Sequence, residues 1–136
     1  MIQRIQSVYI LIAIIVTALL FKFPYAFSLG ENGFPLYVQG NHILLSITIF
    51  IGLSNLICLL LYKHRRIQIR LCTLSILLSF VLGGIMLYQY YFGSDQNIRS
   101  FQISQFLPAL IIVFNILAIY RVKKDEKLVR SMDRLR

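Results

Sequence analysis

The most constraining feature of this chain is a run of 20 residues, Ile43 to Tyr62, that contains no Asp, Glu, Lys, Arg or His. An α-helix rises about 1.5 Å per residue, so a helix of this length spans the hydrocarbon layer of a bilayer, which is about 30 Å thick. Hydrophobic residues make up 58% of the chain and charged residues only 14%, which excludes an ordinary soluble domain. The sequence therefore predicts an integral membrane protein.

Three further apolar stretches predict three more crossings. Leu71 to Phe92 is also free of charge, and two shorter stretches reach the required length of about 17 residues when flanking apolar residues are included. The predicted crossings are residues 5–23, 43–62, 71–92 and 103–120. We predict an all-α membrane protein in which residues 1–120 form an antiparallel up-down bundle of four transmembrane helices and residues 121–136 form a basic, amphipathic cytoplasmic tail.

The basic residues are distributed unequally between the two sides of this arrangement. Twelve of the 14 Lys and Arg residues lie at Arg4, between residues 63 and 70, or in the tail, whereas Lys22 and Arg99 lie on the other side. Loops rich in Lys and Arg stay in the cytoplasm, so both termini are predicted to be cytoplasmic. The short basic loop at residues 63–70 has two possible roles. It either sets the topology and contacts anionic headgroups, or it binds phosphate or an acidic protein.

The amino terminus also has the general form of a secretory signal, because Arg4 precedes an apolar run and Ala26 follows it. Pro24 occupies a position where cleavage at Ala26 would require a small residue. We therefore expect the first span to be retained as an anchor.

The segment from Pro24 to His42 is predicted to contain a small β-hairpin. Two β-prone runs, Tyr25 to Leu29 and Phe34 to Val38, flank a turn sequence that ends in Asn-Gly. Such a hairpin could be a docking element for a partner outside the membrane, or a connector whose aromatic rings rest at headgroup depth.

The tail is predicted to continue the fourth helix, since residues 121–136 contain no Gly or Pro. Its predicted docking residues are an apolar stripe and two basic neighbours: Leu128, Val129, Met132, Leu135, Arg130 and Arg134. Seven basic and three acidic residues suit an anionic lipid surface or an acidic protein groove. No aromatic residue is present to stack on bases, so nucleic acid is not an expected partner.

The sequence contains no recognisable catalytic set. His42 and His64 flank the second span, about 30 Å apart, and cannot share a metal ion within one chain. Cys58 and Cys72 lie near the same membrane boundary and can approach each other, as small packing residues rather than as a disulfide in a reducing compartment. We predict no metal, no cofactor and no enzymatic activity.

Small and weakly polar residues within the spans predict helix packing. Ser75, Ser79 and Gly83 recur every four residues, a pattern that lets a neighbouring helix approach closely. Asn55 and Asn115 lie at similar depth, and amides in hydrocarbon require partners. They are predicted to bridge the second and fourth helices, with contact to a ligand as the alternative.

Both ends of the chain carry a family resemblance. Residues 1–9, MIQRIQSVY, and residues 125–136, DEKLVRSMDRLR, resemble the small four-span inner-membrane proteins of Bacteroidota that are grouped as a domain of unknown function. The resemblance covers the whole chain and implies a bacterial inner-membrane location with a cytoplasmic tail. It implies no substrate, cofactor or catalytic residue.

Three functions remain open on the sequence. The leading hypothesis is a non-enzymatic accessory or scaffold subunit that associates with another membrane complex through its tail. The alternative is a small oligomeric transporter or channel, whose wet path would need Asn55, Asn115 and the serines of the third span. An interfacial enzyme acting on lipid or quinone would have to use Cys58, Cys72 or His64.

Overall fold

The computed structural model describes residues 3–27, 34–61, 64–92 and 102–133, with side chains from Ser7 to Lys127 within those ranges. This part of the chain forms four α-helices and a two-stranded sheet, which confirms the predicted helical class. The α-helices are α1 (Gln3–Lys22), α2 (His42–Leu60), α3 (Arg65–Phe92) and α4 (Leu107–Asp133). Short 3-10 turns at Val38–Gly40 and Ile103–Phe106 precede α2 and α4.

Three helical segments within the described residues are long and apolar enough to cross a membrane: His42–Leu60, Arg65–Phe92 and Ile103–Lys127. The apolar part of α1, Ser7–Lys22, is shorter. These segments agree with three of the four predicted crossings in length and composition. The first crossing stays a prediction.

The helices extend further than the predicted crossings. α3 begins at Arg65, ahead of Leu71, and α4 continues without a break past Tyr120 to Asp133. The predicted helical tail is thus confirmed up to Asp133, and residues 134–136 lie outside the described residues. Residues 93–101, between α3 and the second 3-10 turn, also lie outside them.

The four helices enclose a common interior, because each helix packs against the next along the chain and α4 packs against α1. The buried residues of α3 alternate at intervals of four and three: Gln68, Cys72, Ser75, Ser79, Leu82 and Met86. This spacing keeps one side of a helix facing its neighbours over its whole length, as in a coiled coil. The seam of α2 follows the same rule with Leu44, Thr48, Ile51, Asn55 and Cys58.

A β-hairpin covers one end of the helices, which we call the hairpin end. The strands β1 (Ala26–Phe27) and β2 (Pro35–Leu36) pair antiparallel, with Ala26 opposite Leu36, and the Tyr25 backbone N–H donates a 2.9 Å hydrogen bond to the Leu36 carbonyl. The predicted strand pairing is confirmed. The turn at residues 28–33 lies outside the described residues. We call the opposite end, where α2 ends and α3 begins, the corner end.

The hairpin packs into the interior between the helices and is hydrogen-bonded to the segment before α4. Tyr25, Ala26 and Val38 belong to the main apolar core, and burial raises the pKa of the Tyr25 phenol. The Ser104 hydroxyl donates a hydrogen bond to the Pro24 carbonyl, and Gln105 Nε2 donates one of 3.2 Å to the Tyr25 carbonyl. These bonds tie the segment that follows α1 to the 3-10 turn that precedes α4.

Candidate functional site: a polar layer between the helices

The interior has two apolar clusters. The larger lies beneath the hairpin and includes Leu20, Leu44, Leu82 and Ile111. The smaller lies towards the corner end and consists of Ile10, Cys58, Cys72 and Ala118. Along α2, α3 and α4, the buried polar residues Asn55, Ser75 and Asn115 each lie between the residues that their helix contributes to the two clusters.

The cysteines of the smaller cluster fix the alignment of α2 against α3. The Sγ atoms of Cys58 and Cys72 are 3.1 Å apart. Asn55 and Ser75 each lie three residues from a cysteine towards the hairpin end, and residues three apart share one face of a helix. Asn55 and Ser75 therefore stand at the same level of the interior.

Asn115 of α4 completes this level. Its Nδ2 donates a 3.1 Å hydrogen bond to Ser75 Oγ. The side chains of Asn55, Ser75 and Asn115 are all fully buried, with 0% exposure. We call these three residues the polar layer.

The polar layer is incompletely satisfied. Both amide atoms of Asn55 and Oδ1 of Asn115 are buried without a hydrogen-bond partner, and an unsatisfied buried polar group costs about 1–3 kcal/mol. The predicted amide bridge between Asn55 and Asn115 is therefore wrong. Asn115 lies on α4, which packs against α3 and α1, so its amide meets a hydroxyl of α3 instead.

The buried hydroxyls near this layer bond to their own helices. Ser79 Oγ donates to the Ser75 carbonyl at 2.8 Å, and Thr48 Oγ1 donates to the Leu44 carbonyl at 2.7 Å. Hydroxyls in helices commonly bond to the preceding turn in this way. The unpartnered donors and acceptors of this region therefore belong to the amides of Asn55 and Asn115.

The small residues of α3 lie where α4 approaches. Ser75 and Ser79 are fully buried, and a Cβ placed on Gly83 would stand 3.6 Å from Cβ of Pro108. A Cβ placed on Gly84 would meet nothing within 4 Å. The two neighbouring glycines therefore differ in their surroundings.

Cys58 and Cys72 are free, buried thiols, and their predicted approach is confirmed by the 3.1 Å separation. Cys58 Sγ also lies 3.5 Å from the Gln68 carbonyl oxygen. Gln68 is buried, with Oε1 unpartnered, and it is not among the residues predicted from the sequence. Its place in the four-and-three spacing with Cys72 and Ser75 is the signal that could have identified it.

The chain matches the family model described as Domain of unknown function (DUF4293) over residues 2–135. It belongs to the DUF4293 family. No curated protein and no solved structure matches the chain. The candidate site residues of this DUF4293 chain are therefore identified from their positions, burial and hydrogen bonds alone.

At its corner end the DUF4293 chain presents basic residues around an open cleft of about 420 Å³, lined by His64, Arg65, Arg66, Ile67 and Glu126. On α4, Val122 and Asp125 are still buried, so the helix continues to pack beyond Tyr120. The predicted docking side chains Leu128, Val129, Met132, Leu135, Arg130 and Arg134 lie outside the described side chains. The backbone is helical up to Asp133.

The described residues of this DUF4293 chain offer hydrogen-bonding groups in the interior and charged groups at the corner end. Among the described residues, no three His, Cys, Asp or Glu side chains converge as metal ligands, and both His42 and His64 are exposed. The polar layer can exchange hydrogen bonds between the helices. The corner end can hold groups that carry charge.

Proposed function

We propose that this protein is a non-enzymatic accessory subunit of the bacterial inner membrane that associates with another membrane complex. Its four helices would all cross the bilayer, with both termini and the corner end in the cytoplasm. The concentration of Lys and Arg at the corner end and in the tail supports this orientation.

An antiparallel up-down arrangement fits two contacts. Cys58, near the end of α2, meets Cys72, near the start of α3. Gly83, in the second half of α3, lies near Pro108 at the start of α4. Each contact is what short connections between neighbouring antiparallel helices produce.

The observation that carries the accessory role is the unbroken course of α4. The helix continues 13 residues beyond Tyr120 to Asp133, which corresponds to about 20 Å at the helical rise. Lys123, Lys124 and Lys127 are exposed along this extension. Because the same helix packs in the interior, its basic extension is held at a fixed angle to the membrane, as a docking element requires.

Native extraction tests this proposal. The full chain and a chain ending at Lys127 would be extracted in mild detergent, and the co-purifying proteins identified by mass spectrometry. We expect the full chain to retain one membrane complex and the shortened chain to lose most of it while still inserting. A control with Lys123→Arg and Lys124→Arg keeps the charge and should retain the complex. A full chain that runs alone in every detergent condition would refute the proposal.

A second candidate is a small oligomeric transporter, and the polar layer favours it. Asn55 has two unpartnered amide atoms in the interior, as expected of a path that polar solutes contact. Mass determination in detergent, together with flux into liposomes, tests this function. A stable monomer without flux would discard it.

A further inference from the structure

The cleft at the corner end combines charges of both signs. Arg65 and Arg66 come from the first turn of α3, and Glu126 comes from the extension of α4. Ile67 adds an exposed apolar side chain to the same lining. Two separate helices thus supply cations, an anion and an apolar edge to one open space of about 420 Å³.

The position of the cleft along the helices matches lipid headgroups. The apolar segment of α2 ends at Leu60, and the uncharged stretch of α3 begins at Leu71. The cleft residues of α3 lie between these limits, at the boundary where Lys and Arg meet phosphates. A lipid whose headgroup enters the cleft would keep its acyl chains against the apolar helix surface.

The charges in the cleft select the kind of headgroup. Arginine binds phosphate through a planar fork of N–H groups. A headgroup with only negative charge would also face the Glu126 carboxylate, which repels it. A headgroup with a phosphate and a primary ammonium satisfies both sides, because an ammonium has three N–H donors and a carboxylate only accepts.

Glu126 already has an interaction within the chain. A carboxylate offers about four acceptor positions, so it can bind an ammonium in addition to that interaction. We propose that this cleft binds the headgroup of phosphatidylethanolamine, with the phosphate on Arg65 and Arg66 and the ammonium on Glu126. The proposal rests on the proposed membrane placement but not on the proposed partner complex.

The test is lipid binding to the purified, delipidated full chain in detergent, measured by native mass spectrometry with short-chain lipids. Phosphatidylcholine is the matched comparison, because its quaternary ammonium has the same charge but no N–H donor. Phosphatidylglycerol has the phosphate without the ammonium. We expect phosphatidylethanolamine to bind at least tenfold more tightly than either lipid.

Variants separate the two halves of the headgroup. We expect Arg66→Gln to weaken phosphatidylethanolamine and phosphatidylcholine alike, by about tenfold. Glu126→Gln should weaken phosphatidylethanolamine binding more than phosphatidylcholine binding and so remove most of the preference, whereas Glu126→Asp should keep part of the preference. Arg70→Gln and Lys124→Gln change exposed residues outside the cleft lining and are controls. The unfolding temperature of each variant without lipid shows whether it folds.

Four results would overturn the proposal. Two of them concern the parent chain: equal binding of phosphatidylethanolamine and phosphatidylcholine, or tightest binding of phosphatidylglycerol. The third is an unchanged preference for phosphatidylethanolamine in folded Glu126→Gln. The fourth is binding of free phosphoethanolamine as tight as that of phosphatidylethanolamine, which would make the site one for a soluble phosphate ester. The assay contains no other protein. Its failure is therefore distinguishable from failure of the accessory role.

Discussion

Replacing Asn55 by leucine should stabilise the isolated protein. Leucine has the same number of heavy atoms and the same branching as asparagine, but no polar atom that needs a partner. Both amide atoms of Asn55 are buried without a hydrogen bond. Relief of that unsatisfied group is worth about 1–3 kcal/mol, and the larger methyl groups offset part of the gain.

Asn115→Leu is the matched control, because Asn115 is equally buried and belongs to the same polar layer. This substitution gives up the hydrogen bond to Ser75, and side-chain hydrogen bonds between membrane helices contribute about 0.6 kcal/mol on average. It also removes only one unpartnered atom, Oδ1. We therefore expect Asn55→Leu to be more stable than Asn115→Leu by about 1–2 kcal/mol.

The free energy of unfolding can be measured by SDS titration in mixed micelles. The chain has eight Tyr and no Trp, so tyrosine fluorescence follows the transition. An Asn55→Leu variant that unfolds more easily than both the parent and Asn115→Leu would contradict this prediction. That result would mean that the Asn55 amide is not left unsatisfied in the folded protein.

Three further predictions concern individual contacts. Gly83→Leu should lower the temperature of aggregation in detergent, because overpacking against Pro108 costs about 1–3 kcal/mol. Gly84→Leu places its side chain in open space and should not lower it. Equal aggregation temperatures for the two variants would contradict the contact between Gly83 and Pro108. Burial raises the pKa of Tyr25, so its neutral phenol contributes to stability below the ordinary pKa of about 10, and this contribution is lost as pH rises above that value. In Tyr25→Phe the free energy of unfolding should therefore fall less between neutral and alkaline pH. An equal fall in parent and variant would contradict this prediction. Oxidation by copper phenanthroline should link Cys58 and Cys72 within one chain, since their sulfurs are 3.1 Å apart; non-reducing electrophoresis that shows only linked dimers would contradict this packing.

The helices of this fold are largely predictable from the sequence because an uncharged run long enough to cross a membrane has few backbone conformations open to it. With no water to bond to, a chain in the membrane satisfies its N–H and C=O groups by forming a helix. The uncharged run from Ile43 to Tyr62 therefore predicts α2 to within two residues of its observed ends, His42 and Leu60. The helical tail follows from the absence of Gly and Pro.

The contacts inside the fold are not predictable in the same way. Which group meets Asn115 depends on the rotation of α3 and α4 about their axes, and similar depth suggested Asn55 instead of Ser75. The burial of Gln68 was not predicted because Gln68 lies between Arg66 and Arg70, in a segment whose composition is typical of a basic loop. Extension of α3 to Arg65 turns that segment into helix and places Gln68 in the interior.

The bonds at the hairpin end set an order of events during synthesis. Ser104 and Gln105 donate to the carbonyls of Pro24 and Tyr25, which precede them by 80 residues. While the ribosome is still producing the middle of the chain, the donors of Ser104 and Gln105 do not yet exist, and these two bonds cannot form. Closure of this end is therefore a late step, and a chain truncated before Ser104 would lack both of these donors.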